Sequence, residues 1–312
     1  MSSKHRNAVV VTGASSGIGR ACALELDKAG YEVFATVRKE QDAESLRQAA
    51  SEYLTPIFMD VTDETSLASA VETVTQAVGE AGLVGLVNNA GVGVPGPMEY
   101  IAADDLRRQF EINVFGQVRV TQAFLPLIRQ AQGRIINIGS VGGKITMPFG
   151  GALCASKHAM EAINDALRLE LYPWGIHVIL VAPASIKTQA VDHLIDDSEA
   201  TIRQLPPAGR QRYEQSFRHF VETAAAREKN GSPPEVVAQT VLKALTAKKP
   251  RTRYPVGADA RVLTLMPQIL PTRWLDKVRF KVFGLPQQFG LWANSQPSQT
   301  AQAAPLQPGM SN

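Results

Sequence analysis

The chain reads as an α/β protein: a single doubly wound domain built on a mostly parallel seven-stranded sheet with helices on both faces. Three observations carry this reading. Short continuous apolar runs recur, each followed by a Gly-rich or polar turn and a longer helical stretch, the pattern of strands buried on both faces by crossover helices. At 312 residues and 45% hydrophobic content the chain can bury a full core. No Pro- or Ser-rich linker interrupts the pattern before residue 290. One domain is therefore expected over 8–292. A polar, flexible N-terminus at 1–7 precedes it, and a Gln/Ser/Pro/Ala tail at 293–312 follows, too poor in apolar residues to order itself.

The first strand, Ala8 to Thr12, runs into Gly13-Ala14-Ser15-Ser16-Gly17-Ile18-Gly19, and Arg20 to Ala29 reads as an apolar-faced helix ended by Gly30. Glycine at 13 and 17 lets a backbone approach a diphosphate on the helix N-terminus, and glycine at 19 lets helix pack on strand. A plain tight turn would use the same residues. The second strand, Glu32 to Val37, ends in Arg38-Lys39. Its tip is where a dinucleotide fold selects its cofactor. Thr36 and Val37 supply no carboxylate for a ribose 2′-hydroxyl, whereas Arg38 offers a planar fork to a 2′-phosphate. NADP(H) is expected over NAD(H), the alternative being that Arg38 and Lys39 solvate a loop.

The third strand, Pro56 to Met59, leads to Asp60-Val61, and Asp60 is placed to cap the helix beginning near Thr62-Asp63-Glu64. The fourth, Leu83 to Val87, delivers Asn88-Asn89-Ala90-Gly91. After a Gly/Pro loop to Pro97, a long helical stretch carries Asn113 between Ile112 and Val114, where an amide competes for backbone hydrogen bonds. The fifth strand, Arg134 to Ile138, presents Gly139-Ser140 at its carboxyl end, where ligands bind in open α/β sheets. A helix containing Gly151-Ala152-Leu153-Cys154-Ala155-Ser156-Lys157 follows, then a sixth strand, Ile176 to Ala182, and Pro183-Ala184-Ser185-Ile186-Lys187-Thr188. A polar helical segment spans 193–230, another helix 233–247, and the last strand Arg253 to Gly257.

From about residue 8 to about residue 190, the motifs Thr12-Gly13-x3-Gly17-x-Gly19, Asn88-Asn89-Ala90-Gly91, Asn113, Ser140 and Lys157, in this order, resemble the short-chain dehydrogenase/reductase family. The resemblance implies a Rossmann-type domain and NAD(P)-dependent oxidoreductase chemistry. It implies a cofactor site from Thr12, Gly13, Ser15, Ser16, Gly17, Ile18 and Gly19, with Arg38, Asp60 and Val61 at the adenosine end. Asp60 would there accept from the adenine amino group, and the cap reading does not exclude this. Asn89, Ala90, Gly91, Lys157, Pro183, Ile186 and Thr188 would complete the site. It further implies that Ser140 polarises the substrate oxygen, that Lys157 lowers the pKa of a Tyr and binds the nicotinamide ribose, and that Asn113 kinks its helix and orders a relay water.

This chain departs from the family where the chemistry is done. The Tyr stands four residues before the Lys, and here that position is Leu153, on the same helix face as Lys157. Cys154 is turned about 100° away and is a shorter, weaker donor, and Tyr172 lies beyond the far end of the helix. Water relayed from Lys157 is the expected substitute, a general acid being worth on the order of 10² to 10⁴ in rate. Ala184 replaces the family's Gly, which would strain the turn if that position needs positive φ. Residues 187–232 occupy the place of the variable substrate lid. Arg253 to Leu265 is loosely similar to retinol/steroid dehydrogenase-like members, implying a bulky apolar alcohol or ketone. Family pairing through helices around 110–130 and 152–172 implies a homo-oligomer, dimer or tetramer.

A formal charge of +3 without a basic stripe among exposed aromatics sets nucleic acid aside. No metal site is expected. Cys22 and Cys154 are too far apart in sequence to suggest a disulfide framework, which fits a reducing compartment. The polar start and the short apolar run after it fit neither a signal peptide nor a membrane span, so the expected location is the cytoplasm. Between Lys248 and Lys281 stand nine Lys or Arg and two acidic residues, interleaved with Leu265, Met266, Ile269, Leu270, Trp274, Leu275, Phe280 and Phe283. Such a segment suits an anionic membrane surface. Packing on the domain to close an apolar pocket is favoured instead, because Pro267 and Pro271 interrupt the helix. Three functional readings follow: an oxidoreductase whose turnover is impaired at Leu153, a cofactor-binding or regulatory homologue without turnover, and a peripheral membrane protein.

Overall fold

Seven strands alternate with helices in a computed structural model that describes residues 6–285. The strands are β1 (Ala8–Val11), β2 (Glu32–Val37), β3 (Leu54–Phe58), β4 (Gly85–Asn88), β5 (Arg134–Ile138), β6 (His177–Pro183) and β7 (Arg253–Val256). The helices are α1 (Gly17–Lys28), α2 (Glu40–Ala49), α3 (Glu64–Val78), α4 (Ala103–Phe110), α5 (Gln117–Ala131) and α6 (Gly151–Leu171). They continue with α7 (Ala190–Gln204), α8 (Pro207–Lys229), α9 (Glu235–Thr246), α10 (Ala260–Ile269) and α11 (Thr272–Val282). The expected tail at 293–312 lies outside the described residues.

The sheet order is β3-β2-β1-β4-β5-β6-β7, and every pairing is parallel. The order reverses between β1 and β4, which opens the crevice where this architecture takes its ligands. The apolar runs are continuous because both faces are covered. Val9 and Val11 join a cluster with Cys22 and Leu26 of α1 and Val237 and Val241 of α9, while Ala8 and Val10 face Leu67 and Val74 of α3 and Phe124 of α5.

Several expectations shift. β3 begins at Leu54 and carries Pro56 in register with Ala35. The proline is tolerated because β3 is an edge strand, where its missing N–H leaves no ladder bond unmade. The long helix expected around Asn113 is two helices joined by a π-helical turn, Glu111–Gly116. Ala184 takes no left-handed backbone, since Gln132 and Phe149 are the non-glycine residues with positive φ among those described, so the turn after β6 is unstrained by the missing glycine. Pro267 sits inside α10, and the interruption falls at Leu270 and Pro271.

The basic segment also differs from the favoured expectation. Leu275, Phe283 and Leu285 are buried, and Phe283 stacks on Phe220 at 5.1 Å within a third apolar cluster containing Phe149, Ile202 and Phe217. Val262, Leu265, Ile269 and Trp274 instead stay in solvent. The segment packs on the domain by one side alone. No helix among the described residues is long and apolar enough to cross a membrane.

Candidate active site

The crevice between β1 and β4 is built from bare backbone. A Cβ on Gly13 would stand 2.9 Å from the Cα of Ala90, and one on Gly19 would collide with the Gly13 carbonyl and the Asn89 amide. Those two positions therefore admit glycine alone, for steric reasons independent of any ligand. Ser16 is the extended N-cap of α1 but makes no side-chain cap bond, and the first turn holds no acid, so its N–H groups point into the crevice unopposed. Ser15 is exposed, and Ile18 packs on the core beneath. The side chain of Thr188 lies 3.3 Å from where a Cβ of Gly17 would stand, so the loop after β6 meets the glycine turn.

The amides expected near the site do more than line it. Thr12 Oγ1 accepts from the backbone N–H groups of Asn89 (2.9 Å) and Ala90 (3.0 Å), while Asn89 Nδ2 donates to the carbonyls of Thr12 and Gly13. β1 and β4 are thereby stitched at their carboxyl ends. Asn88 is buried and donates to Thr121 Oγ1 and Asn137 Oδ1. Asn113, in the π-helical turn, accepts from Val92 N–H at 2.8 Å and donates to the Val92 carbonyl and to Ser156 Oγ. Gln109 accepts from Val94 N–H and donates to the Val92 carbonyl. Together the two amides hold residues 92–94 as a neighbouring strand would. The sequence does not mark Gln109 or the partner that Ser156 offers: a buried glutamine with a backbone partner 15 residues away leaves no local pattern.

At the end of β5, Ser140 Oγ accepts from Gly142 N–H at 2.9 Å. Lys157 is buried, its Nζ donates to the Ile138 carbonyl at 2.9 Å, and burial lowers its pKa to about 8. Leu153 is partly exposed and belongs to none of the three apolar clusters among the described residues; its Cδ2 lies 3.8 Å from where a Cβ of Gly93 would stand, toward the loop after β4. Cys154 is buried, with Sγ 3.8 Å from the Ile145 carbonyl, and burial pushes its thiol up. It is no proton donor to this crevice. Cys22 and Cys154 are both free thiols.

At the tip of β2 Arg38 pairs with Asp60 at 3.5 Å. Burial raises the Asp60 carboxyl, but the hydroxyl and N–H of Thr62 and the charge of Arg38 outweigh it, and its pKa lies below the usual range. Contrary to expectation Asp60 does not cap α3; Asp63 does, accepting from Thr65 N–H, because the helix starts at Glu64. Val61 packs 2.7 Å from where a Cβ of Gly116 would stand. Past Pro183, the nearly buried Ile186 bridges to Ser232, Lys187 N–H reaches the Ser232 carbonyl, and Thr188 Oγ1 accepts from Ala190 N–H. Glu228 of α8 accepts from the Ile186 backbone, and burial raises its carboxyl to about 7. The aromatic cluster under α7 and α8 is closed by Phe149, whose ring lies 5.2 Å from Phe217 and whose φ of +56° nothing in the sequence announces. Among the described residues no cluster of His, Cys, Asp and Glu is arranged for a metal.

A family model for short chain dehydrogenases matches residues 7–199. The chain is 38% identical over 288 residues to a retinol dehydrogenase 5 of Mus musculus, covering 90% of each chain. It is 37% identical over 277 residues to an NADPH-dependent 3-dehydrocapnine reductase of Ornithobacterium rhinotracheale, covering 87% of this chain and 95% of the relative. A solved short-chain dehydrogenase from Streptomyces avermitilis superposes with a TM-score of 0.70 at 28% identity, over 90% of this chain and 96% of the other. Its sequence, its parallel sheet and the glycine-lined crevice at the β1/β4 switch together place the chain in the short-chain dehydrogenase/reductase family of oxidoreductases.

Proposed function

We propose that the protein binds NADP(H) in the β1/β4 crevice and acts on a bulky apolar alcohol or ketone, with turnover limited by the missing proton donor at Leu153. The observation that carries this is the partly exposed Leu153, one helical turn before the buried Lys157 and with its side chain toward Gly93 of the loop after β4. The crevice suits a dinucleotide: side chains are excluded at Gly13 and Gly19, and the uncapped N-terminus of α1 offers N–H groups to a diphosphate. Thr12, Asn89 and Ala90 fix its floor, Gly91, Ile186 and Thr188 its nicotinamide end, and Arg38, Asp60 and Val61 its adenosine end. When bound, the nicotinamide supplies or takes up the hydride. Ser140 would hold the substrate oxygen and Lys157 the ribose, with its lowered pKa putting an ammonium and an amine both within reach at neutral pH.

The proton has no side-chain carrier at Leu153, so water beside Lys157 delivers it, slower by roughly 10² to 10⁴. The names of the retinol dehydrogenase and the 3-dehydrocapnine reductase support a bulky apolar substrate and, for the latter, NADPH. A homo-oligomer through α5 and α6 is supported by Phe115 just before α5, Leu169 on α6 and Tyr172 just after it, large side chains left in solvent. The cytoplasm is the proposed location. A second reading, a cofactor-binding protein without turnover, is favoured by the same Leu153. Fluorescence titration with NADPH, then turnover assays on apolar ketones, tests the proposal: no cofactor binding overturns it, and binding without any turnover selects the second reading.

A further inference from the structure

We infer that the outer face of α10 and α11 is a docking surface for an anionic lipid bilayer. Val262, Leu265 and Ile269 follow one another at helical spacing along α10 and are 59%, 54% and 76% exposed, and Trp274, at the start of α11, is 64% exposed. Soluble surfaces rarely carry such large apolar side chains along one contiguous segment. The charge beside them has one sign. Arg273, Lys277 and Lys281 repeat every fourth residue on α11, and Arg261 precedes Val262 on α10; all four are exposed, and none makes an ion pair among the described residues. The acids of this segment are already engaged, Asp276 with Arg279 and Asp259 with Arg227. The Lys277 ammonium stands 5.3 Å from the Trp274 ring, pairing a cation with an indole, a residue that favours the lipid headgroup level.

The inner side of the same elements fixes the platform. Ala260, Leu275 and Phe283 are buried, and Phe283 joins the aromatic cluster with Phe220 and Phe149. The exposed residues are thus presented by anchored helices, with no helix among those described long and apolar enough to span a bilayer. Exposed apolar groups flanked by unpaired cations match the chemistry of a monotopic contact with anionic headgroups. A second copy of this chain would place the same uncompensated cations against each other, which disfavours that occupant.

The test is cosedimentation of the full chain with phosphatidylcholine vesicles containing or lacking phosphatidylserine. Binding to the phosphatidylserine vesicles, with a blue shift of tryptophan emission and release at high salt, is expected. Each cation contributes about fivefold to partitioning, so R273E/K277E/K281E should weaken binding at least tenfold, and V262S/I269S/W274S should abolish the blue shift, both at unchanged Tm. Because all the substituted residues are exposed, the unchanged Tm separates a docking effect from misfolding. Equal binding to both vesicle types, no binding, or full binding by the charge-reversal variant overturns the inference. So does an apolar-to-Ser variant whose sole effect is to dissociate an oligomer, which would make the face an interface between copies.

Discussion

Lys157, buried one helical turn beyond Leu153, directs its ammonium at the carbonyl of Ile138, 2.9 Å away at the end of β5. That bond holds a charge where solvent does not reach, and burial lowers the lysine to about 8 from its ordinary 10.5. The folded protein therefore holds fewer protons than the unfolded chain between about 8 and 10.5. Stability contributed by this group is present above 10.5 and is lost as pH falls through about 8. The difference is at most about 3 kcal/mol. Lys157→Met should raise the Tm of the cofactor-free protein at pH 7 by a few degrees, with the gain shrinking toward pH 10. The same change should weaken NADPH at least tenfold. Calorimetry and fluorescence titration on one pair of proteins check both.

Arg38 sets cofactor choice on this account. Its pair with Asp60 is largely exposed at 3.5 Å, and such pairs contribute about 0 to 1 kcal/mol. Arg38→Ala should leave Tm unchanged, lower NADPH affinity by roughly 1.5 to 3 kcal/mol, and leave NADH affinity nearly as it was. Equal affinities for both cofactors in the parent would contradict the role.

Glu228 links α8 to the loop after β6 through the Ile186 backbone, and burial raises its carboxyl to about 7 from 4.5. The folded state then binds more protons than the unfolded between those values. Its contribution is complete below 4.5 and is lost as pH rises to about 7. Glu228→Gln keeps an acceptor for Ile186 without the charge. Its Tm advantage over the parent should be small at pH 5 and grow toward pH 7.5, visible in a pH series of thermal melts.

The crevice was legible in the sequence because its residues break local patterns. Glycines at 13, 17 and 19 interrupt a strand-to-helix passage, and Asn88, Asn89 and Asn113 are amides amid apolar neighbours. Ser140 follows from its place at a strand end, and Lys157 from the resemblance of its helix to that of short-chain dehydrogenases. What was not legible depends on partners distant in the chain. Gln109 is an ordinary helical residue until Val92 and Val94 are folded beside it. Phe149 takes a left-handed backbone that no local signal marks, held by rings from α8. Pro56 disguised the start of β3 because edge position is a property of the sheet. Likewise, which side of α11 faces solvent is decided by the aromatic cluster that Phe280 and Val282 pack against.

The central claim is that position 153 is a vacated proton-donor site in an otherwise assembled crevice, and Leu153→Tyr tests it most directly. Leu153 is partly exposed and lies outside the apolar clusters among the described residues, so a phenol hydroxyl at this position is not forced into the core. With NADPH and an apolar ketone, turnover should rise at least tenfold, the lower part of what general acid catalysis supplies. Cofactor affinity and Tm should stay nearly unchanged, and activity should be lost again when Lys157→Ala is added. A variant that melts lower by the roughly 1 to 3 kcal/mol of an unpartnered buried hydroxyl, with no turnover on any ketone tested, would contradict the claim.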